Sequence, residues 1–208
     1  MSQSLESITS TYKKALAGSP AEEYLASRSL SEESIHKFAL GYVAEPAVGH
    51  ERFEGMLAIP YLRRGPLGSW KVVGMRFRAL DPTIKPKYNQ PSEQKISTFN
   101  PQAVLTTEGV VGICEGEIDA ISASQAGLPT VGIPGAQAWK PWWAALFEPV
   151  SRVIILADGD EPGLEFAAKV KADIPQAVIL PHNERQDTNS VLVNEGEEAL
   201  AELINKYR

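Results

Sequence analysis

From Gly109 onward, short apolar runs alternate with segments that read as helices, and few folds accept that pattern. Val110–Cys114, Thr130–Ile133, Arg152–Ala157 and Ala177–Leu180 read as strands. Between and after them, Glu117–Ala126, Lys140–Phe147, Pro162–Ala172, Thr188–Val193 and Glu197–Lys206 read as helices. Strand–helix alternation of this kind predicts βαβ units around a central, mostly parallel sheet flanked by helices, an α/β architecture. Right-handed crossovers then bring the carboxyl ends of all strands to one edge, where sites are built.

Three acidic motifs fall at those ends. Glu115-Gly116-Glu117-Ile118-Asp119 follows VVGIC, Asp158-Gly159-Asp160 follows RVIILA, and Asp187-Thr188-Asn189 comes after AVILP. Taken singly, each is an ordinary turn or a first-turn acid favoured by a helix dipole, and Glu117 is read in that way. Three in succession, each after its own strand, point to a shared cation, because gathered carboxylates repel one another without one. Oxygen ligands with no nearby His or Cys suit Mg²⁺ or Mn²⁺ rather than zinc. The carboxylates of these three motifs together form a candidate cation site.

The first half is organised differently. Residues 5–17 and 20–28 read as helices, and Ser31 is placed to cap a third ending near Phe38. Leu57–Tyr61 and Trp70–Arg78 read as an antiparallel pair joined by the turn RRGPLGS, with Val73, Met75 and Phe77 on one face. Residues 81–100 read as a long polar loop or an edge. The expected division is a smaller mixed α+β subdomain over residues 1–105 and the acid-bearing domain over 106–208.

Charge follows that division. Residues 1–105 carry 13 Lys+Arg against 10 Asp+Glu, a net of +3, whereas residues 106–208 carry 7 against 16, a net of −9. Uneven surface charge explains this by itself; one half holding an anion and the other a cation explains it too. The single cysteine, Cys114, excludes an intrachain disulfide and a cysteine-rich zinc knuckle and reads as a small core residue. No apolar run reaches the length of a membrane span and MSQSLESITSTYKK resembles no secretory signal, so a cytosolic protein is the expectation. His36, His50 and His182 have no metal-ligand spacing, and the cluster Trp139, Trp142, Trp143 reads as packing.

The acidic motifs resemble a TOPRIM domain, with Glu115 after one strand and Asp158-Gly159-Asp160 after a later one. Their flanks narrow the resemblance to the catalytic core of DnaG-type and phage DNA primases. EGEIDAISASQAG is similar to the family's EGxxD-helix-AG segment, ILADGDEPGLEFA to DxDxAGxxAA, and LPHNERQDTNSVLVNEG to LPxGxDxNxxLxxxG. In the first half, EYLASRSLSEESIHKFALGYV resembles YLxxRGLsxexixxFxlGy, with Ser29 in place of glycine, and KPKYNQPSE resembles a lysine-tyrosine-asparagine loop. The family's usual zinc-binding domain cannot be built from one cysteine, and no Walker A motif or helicase domain follows, so the expectation is an isolated core. Near Phe99-Asn100, where related primases often have a lysine, none stands.

The resemblance implies metal-dependent nucleotidyl transfer that makes short RNA primers on a single-stranded DNA template from nucleoside triphosphates. Glu115, Asp158 and Asp160 would be its catalytic acids, with Asp119 and Asp187 as further ligands or supports; whether Glu115 holds metal or takes a proton stays open. Arg28, Arg78 and Lys87 would occupy the family's positions for nucleic acid or triphosphate, and Arg76, two residues before Arg78, shares its strand face. Expected partners are the template, nucleoside triphosphates and a replicative helicase or separate zinc-binding subunit, with no membrane. Two alternatives remain: a TOPRIM nuclease with water as attacker, and a non-catalytic subunit that binds single-stranded nucleic acid in a replisome.

Overall fold

The computed structural model describes residues 3–65, 68–105 and 109–208, which form two compact units, Met1–Lys95 and Ile96–Arg208. Pro66 and Leu67, at the tip of the expected RRGPLGS turn, lie outside the described residues, as do residues 106–108, where the expected division of the chain falls.

The first unit opens with helices α1 (Leu5–Lys14), α2 (Pro20–Ser27) and α3 (Glu32–Lys37). Each begins on a serine: Ser4, Ser19 and Ser31 accept the N–H of Ser7, Glu22 and Ser34. These caps satisfy donors that the first turn cannot pair internally. An antiparallel sheet follows, with β1 (Gly41–Tyr42), β2 (Leu57–Arg64), β3 (Trp70–Arg78) and β4 (Tyr88–Asn89) in that spatial order. Met75 and Phe77 are buried against Ile8, Tyr12 and Phe53, and the Phe53 and Phe77 rings stack at 4.0 Å. Val73, expected on the same buried face, is 51% exposed because the pairing slips there: Tyr61 pairs with Gly74 and Leu62 with Val72, so Val73 is an extra bulge residue and the alternation breaks. The stretch 81–100 is not all loop, since β4 adds an edge strand through Phe77↔Asn89 and Arg78↔Tyr88.

The second unit contains β5 (Val110–Glu115), β6 (Thr130–Ile133), β7 (Arg152–Ala157) and β8 (Ala177–Pro181), all parallel, in the order β6-β5-β7-β8. Helices α4 (Glu117–Gln125) and α5 (Glu161–Asp173) connect β5 to β6 and β7 to β8, 3-10 turns connect β6 to β7, and α6 (Thr188–Glu195) and α7 (Glu197–Asn205) follow β8. The central strands are buried on both faces, as a covered parallel sheet requires. Val111, Ile113, Val153 and Ile155 join Phe166 and Val170 of α5 in one core. The alternate residues face the other way, where Gly132 leaves room for Ala120 of α4.

The helix expected over Lys140–Phe147 forms as a 3-10 helix, Pro141–Phe147. The tryptophan cluster packs only in part: Trp139 is buried, with its Nε1 donating to Asp173 Oδ2 at 2.8 Å, while Trp142 is 70% exposed. Phe99 bridges to Gly132 in antiparallel fashion, which ties the segment from Ile96 to the second unit. Among the described residues no helix is long and apolar enough to cross a membrane.

Candidate functional site

The carboxyl edge of the parallel sheet carries all five acids singled out in the sequence. Glu115 is the last residue of β5. Gly116, at φ 83°, turns the chain directly into α4, a conformation that favours glycine, and Asp119 then lies in the helix's first turn. Asp158 and Asp160 follow β7, and Asp160 caps α5 by accepting the Gly163 N–H at 2.8 Å. Asp187 caps α6 in a reciprocal box, accepting the Ser190 N–H at 2.6 Å while its own N–H donates to Ser190 Oγ at 2.8 Å.

Two loops are laced together to hold this arrangement. Gly159 N–H donates to Gln186 O at 2.8 Å, and Arg185 N–H donates to Gly159 O at 2.9 Å. The approach is so close that a Cβ at Gly159 would collide with the Asn183 carbonyl. A second tie joins α6 to α4. Asn189 N–H donates to Asp119 Oδ1 and its Nδ2 donates to Ser122 Oγ, both at 2.9 Å. The sequence alone assigns Asn189 no role, because a residue 70 positions from its partner leaves no local signal.

The electrostatics follow from this crowding. Burial raises the Asp158 carboxyl to about 9, and the charges of Asp119, Glu115, Asp187 and Asp160 add to the rise. Burial also raises Glu115 to about 7, helped by Asp160 and opposed by the Ala136 N–H. The five acids therefore share one field. Asp160, Asp187 and Asp119 are already engaged by backbone N–H groups, whereas Glu115 Oε1 and Asp158 Oδ1 are buried with no hydrogen-bond partner. Orphaned carboxylate oxygens at a site of mutual repulsion are the donor set a hard divalent cation suits. Among the described residues, no three His, Cys, Asp or Glu side chains converge closely enough to enclose an ion by themselves. That fits a cation held by one or two carboxylates and completed by phosphate oxygens.

Glu117 lies in the first turn of α4, as expected, but is fully buried. The helix starts so abruptly after β5 that its first residue turns inward.

The basic candidates lie in the first unit. Arg76 and Arg78 share a face of β3 and both stack on Tyr88 of β4, at 5.0 and 5.1 Å from its ring centre. Arg78 also packs over Tyr24 at 4.7 Å, and Arg28 covers the same ring at 5.1 Å. Arg78 is only 5% exposed, and its Nη1 donates to the Tyr88 hydroxyl at 2.7 Å. Lys87 is exposed, immediately before β4. The aromatic partners were not singled out from sequence, although both stand inside the quoted segments EYLASR and KPKYNQ.

Comparison with known proteins gives these geometries a family. The model of the Toprim-like family matches residues 112–192, which contain all five acids. The Gene 57 protein of Mycobacterium phage D29 is 47% identical over 152 residues, spanning 73% of this chain and 99% of that one. The chain belongs to the Gene 57 protein family and carries a Toprim-like domain. A DNA primase of Thermotoga maritima is 27% identical over an alignment of 229 residues, covering 90% of this chain but only 40% of the primase. Among solved structures, a DnaG catalytic core superposes with a TM-score of 0.78 at 20% identity, covering 97% of this chain and 78% of that one. A DnaG primase catalytic domain bound to single-stranded DNA gives 0.75 at 20% identity over 97% and 77%. This chain thus has the DnaG core fold, with an antiparallel sheet in one unit and the parallel TOPRIM sheet in the other.

Proposed function

We propose that this Gene 57 family protein is a primase catalytic core that extends a short RNA on a single-stranded DNA template. The observation that carries the reading is the pair of buried, unpartnered carboxylate oxygens on Glu115 and Asp158, amid three further acids at the tips of a TOPRIM sheet. The DNA primase relative and the DnaG likeness across 97% of the chain, including the first unit, favour a polymerase over a small nuclease.

In the proposed reaction a 3′-hydroxyl oxygen forms a bond to the α-phosphorus of a nucleoside triphosphate. The bond from that phosphorus to the β-phosphate bridging oxygen breaks, and pyrophosphate and the hydroxyl proton leave. Mg²⁺ or Mn²⁺, when bound, supplies positive charge against the triphosphate and the attacking and leaving oxygens. Glu115 and Asp158 would supply its carboxylate ligands, with Asp160 beside them as the third catalytic acid and Asp119 and Asp187 shaping the field around them. The caps at Asp160 and Asp187 fix these carboxylates to helix starts, so less ordering remains to be done on binding. Arg28, Arg76, Arg78 and Lys87 would hold phosphates of the nucleic acid or triphosphate, an attraction that weakens with salt. Its partners would be the template and nucleoside triphosphates, with a replicative helicase or a zinc-binding subunit beside them, in the cytoplasm of the bacterial or infected cell.

The test incubates the protein with single-stranded DNA, labelled ribonucleotides and Mg²⁺ or Mn²⁺, beside Asp158→Ala and Glu115→Ala. Labelled oligomers made by the wild type and by neither variant are expected. Template degradation would mark a nuclease instead, and DNA binding without either product a non-catalytic subunit.

A further inference from the structure

The aromatic rings beside the arginines form a device of their own. From one end to the other the order is Arg28, Tyr24, Arg78, Tyr88, Arg76, with guanidinium-to-ring distances of 5.1, 4.7, 5.1 and 5.0 Å. Three cations are thereby spaced by two neutral rings. Burying a guanidinium is costly unless it is paired. Arg78 is buried, yet among the described residues no carboxylate comes within ion-pairing distance, and its Nε has no partner. Its side chain donates instead to the Tyr88 hydroxyl. Ring faces attract the cation without cancelling its charge, and they fix its plane. An acid in the same place would hold Arg78 equally well and would neutralise the charge that an incoming phosphate needs.

We propose that Tyr24 is a positioning residue: standing between Arg28 and Arg78, it holds the Arg78 guanidinium in a fixed plane with its charge intact and sets it beside Arg28, so that the two take adjacent backbone phosphates of a single strand. The choice of a strand over a free triphosphate rests on the primase reading above; the positioning itself does not. Tyr24 contributes through its ring, so phenylalanine should serve in its place and leucine should not.

Two measurements separate the claims. Arginine side-chain NMR on the whole protein reads the order of the Arg78 Nε–H group directly. A restricted, resolved Arg78 signal is expected in the wild type and in Tyr24→Phe, and an averaged one in Tyr24→Leu. Titration with oligo-dT over a salt series reads the engagement of phosphates. Tyr24→Leu should bind about five- to tenfold more weakly, with a log–log salt slope shallower by about 0.7 for each phosphate no longer engaged. An Arg78 signal already averaged in the wild type would overturn the positioning role, a result that needs no variant to fold. So would a Tyr24→Leu protein with unchanged order and unchanged slope. A restricted Arg78 that Tyr24→Leu releases, in a protein that binds no oligo-dT, would uphold the positioning and defeat the strand-binding reading. Pyrophosphate competing as well as oligo-dT would overturn the assignment to a strand.

Discussion

Asn189 and Asp119 meet at 2.9 Å, the backbone N–H of one donating to the carboxylate of the other, and so fasten the start of α6 to the first turn of α4. The hydrogen bond gives Asp119 two separable duties, an acceptor for a helix-start donor and a charge felt by Asp158. Asp119→Ala removes both and leaves the N–H unpaired, which should cost about 1–3 kcal/mol in urea unfolding. Asp119→Asn keeps a carbonyl acceptor while deleting the charge, so it should retain most of that stability. Equal losses in the two variants would show that the hydrogen bond is not what the carboxylate provides.

The carboxyl groups of Asp158 and Glu115 set a pH dependence with a definite sign. Their values of about 9 and about 7 exceed the ordinary 3.8 and 4.5, so the folded chain binds more protons than the unfolded chain between those limits. Stability must then fall as pH rises through that window, the reverse of the usual acid-destabilised carboxylate. Thermal melts without metal should drop by several degrees between about pH 5 and pH 9. Millimolar Mg²⁺ should offset the drop at the alkaline end, because a ligand of the folded state adds its binding free energy to stability. A metal-free melting temperature that rises across this range would refute the assigned direction.

Asp158→Asn separates stability from chemistry at the same residue. It removes a charge that burial and four neighbouring acids oppose, so the metal-free protein at about pH 8 should melt at a higher temperature than the wild type. Nucleotide incorporation by the same variant should fall by about 100-fold or more. A variant that is both less stable and fully active would contradict the role on both counts.

Much of the second unit is legible in its sequence for a physical reason. A parallel sheet covered on both faces demands unbroken apolar strands, and RVIILA and VVGIC are such strands, each leading directly into an acid. Serines at helix starts are legible for a similar reason, since capping is a local bond. What could not be read rests on distance along the chain. The tie between Asn189 and Asp119, the stacking of Tyr24 on Arg78 and the bridge from Phe99 to Gly132 join residues with no local pattern linking them. Glu117 is legible as a first-turn acid, but its burial is not, because that follows from the tight β5–α4 turn at Gly116.

The close approach at Gly159 predicts a loop whose failure spreads to the site. In Gly159→Ala the new methyl group would strike the Asn183 carbonyl, and the bonds from Gly159 to Gln186 and Arg185 would have to part. A destabilisation of about 1–3 kcal/mol is expected by chemical denaturation. Incorporation should fall further than stability explains, because Asp158, Asp160 and Asp187 lose their common register. Wild-type stability in this variant would show that the two loops are not locked.

Manganese binding tests the central claim most directly. Electron paramagnetic resonance of Mn²⁺ titrated into the protein with a nucleoside triphosphate should show bound metal in the wild type and a sharp decrease in both Glu115→Ala and Asp158→Ala. Equal Mn²⁺ binding by all three proteins, beyond what the nucleotide holds alone, would contradict the assignment of the cation to the tips of β5 and β7.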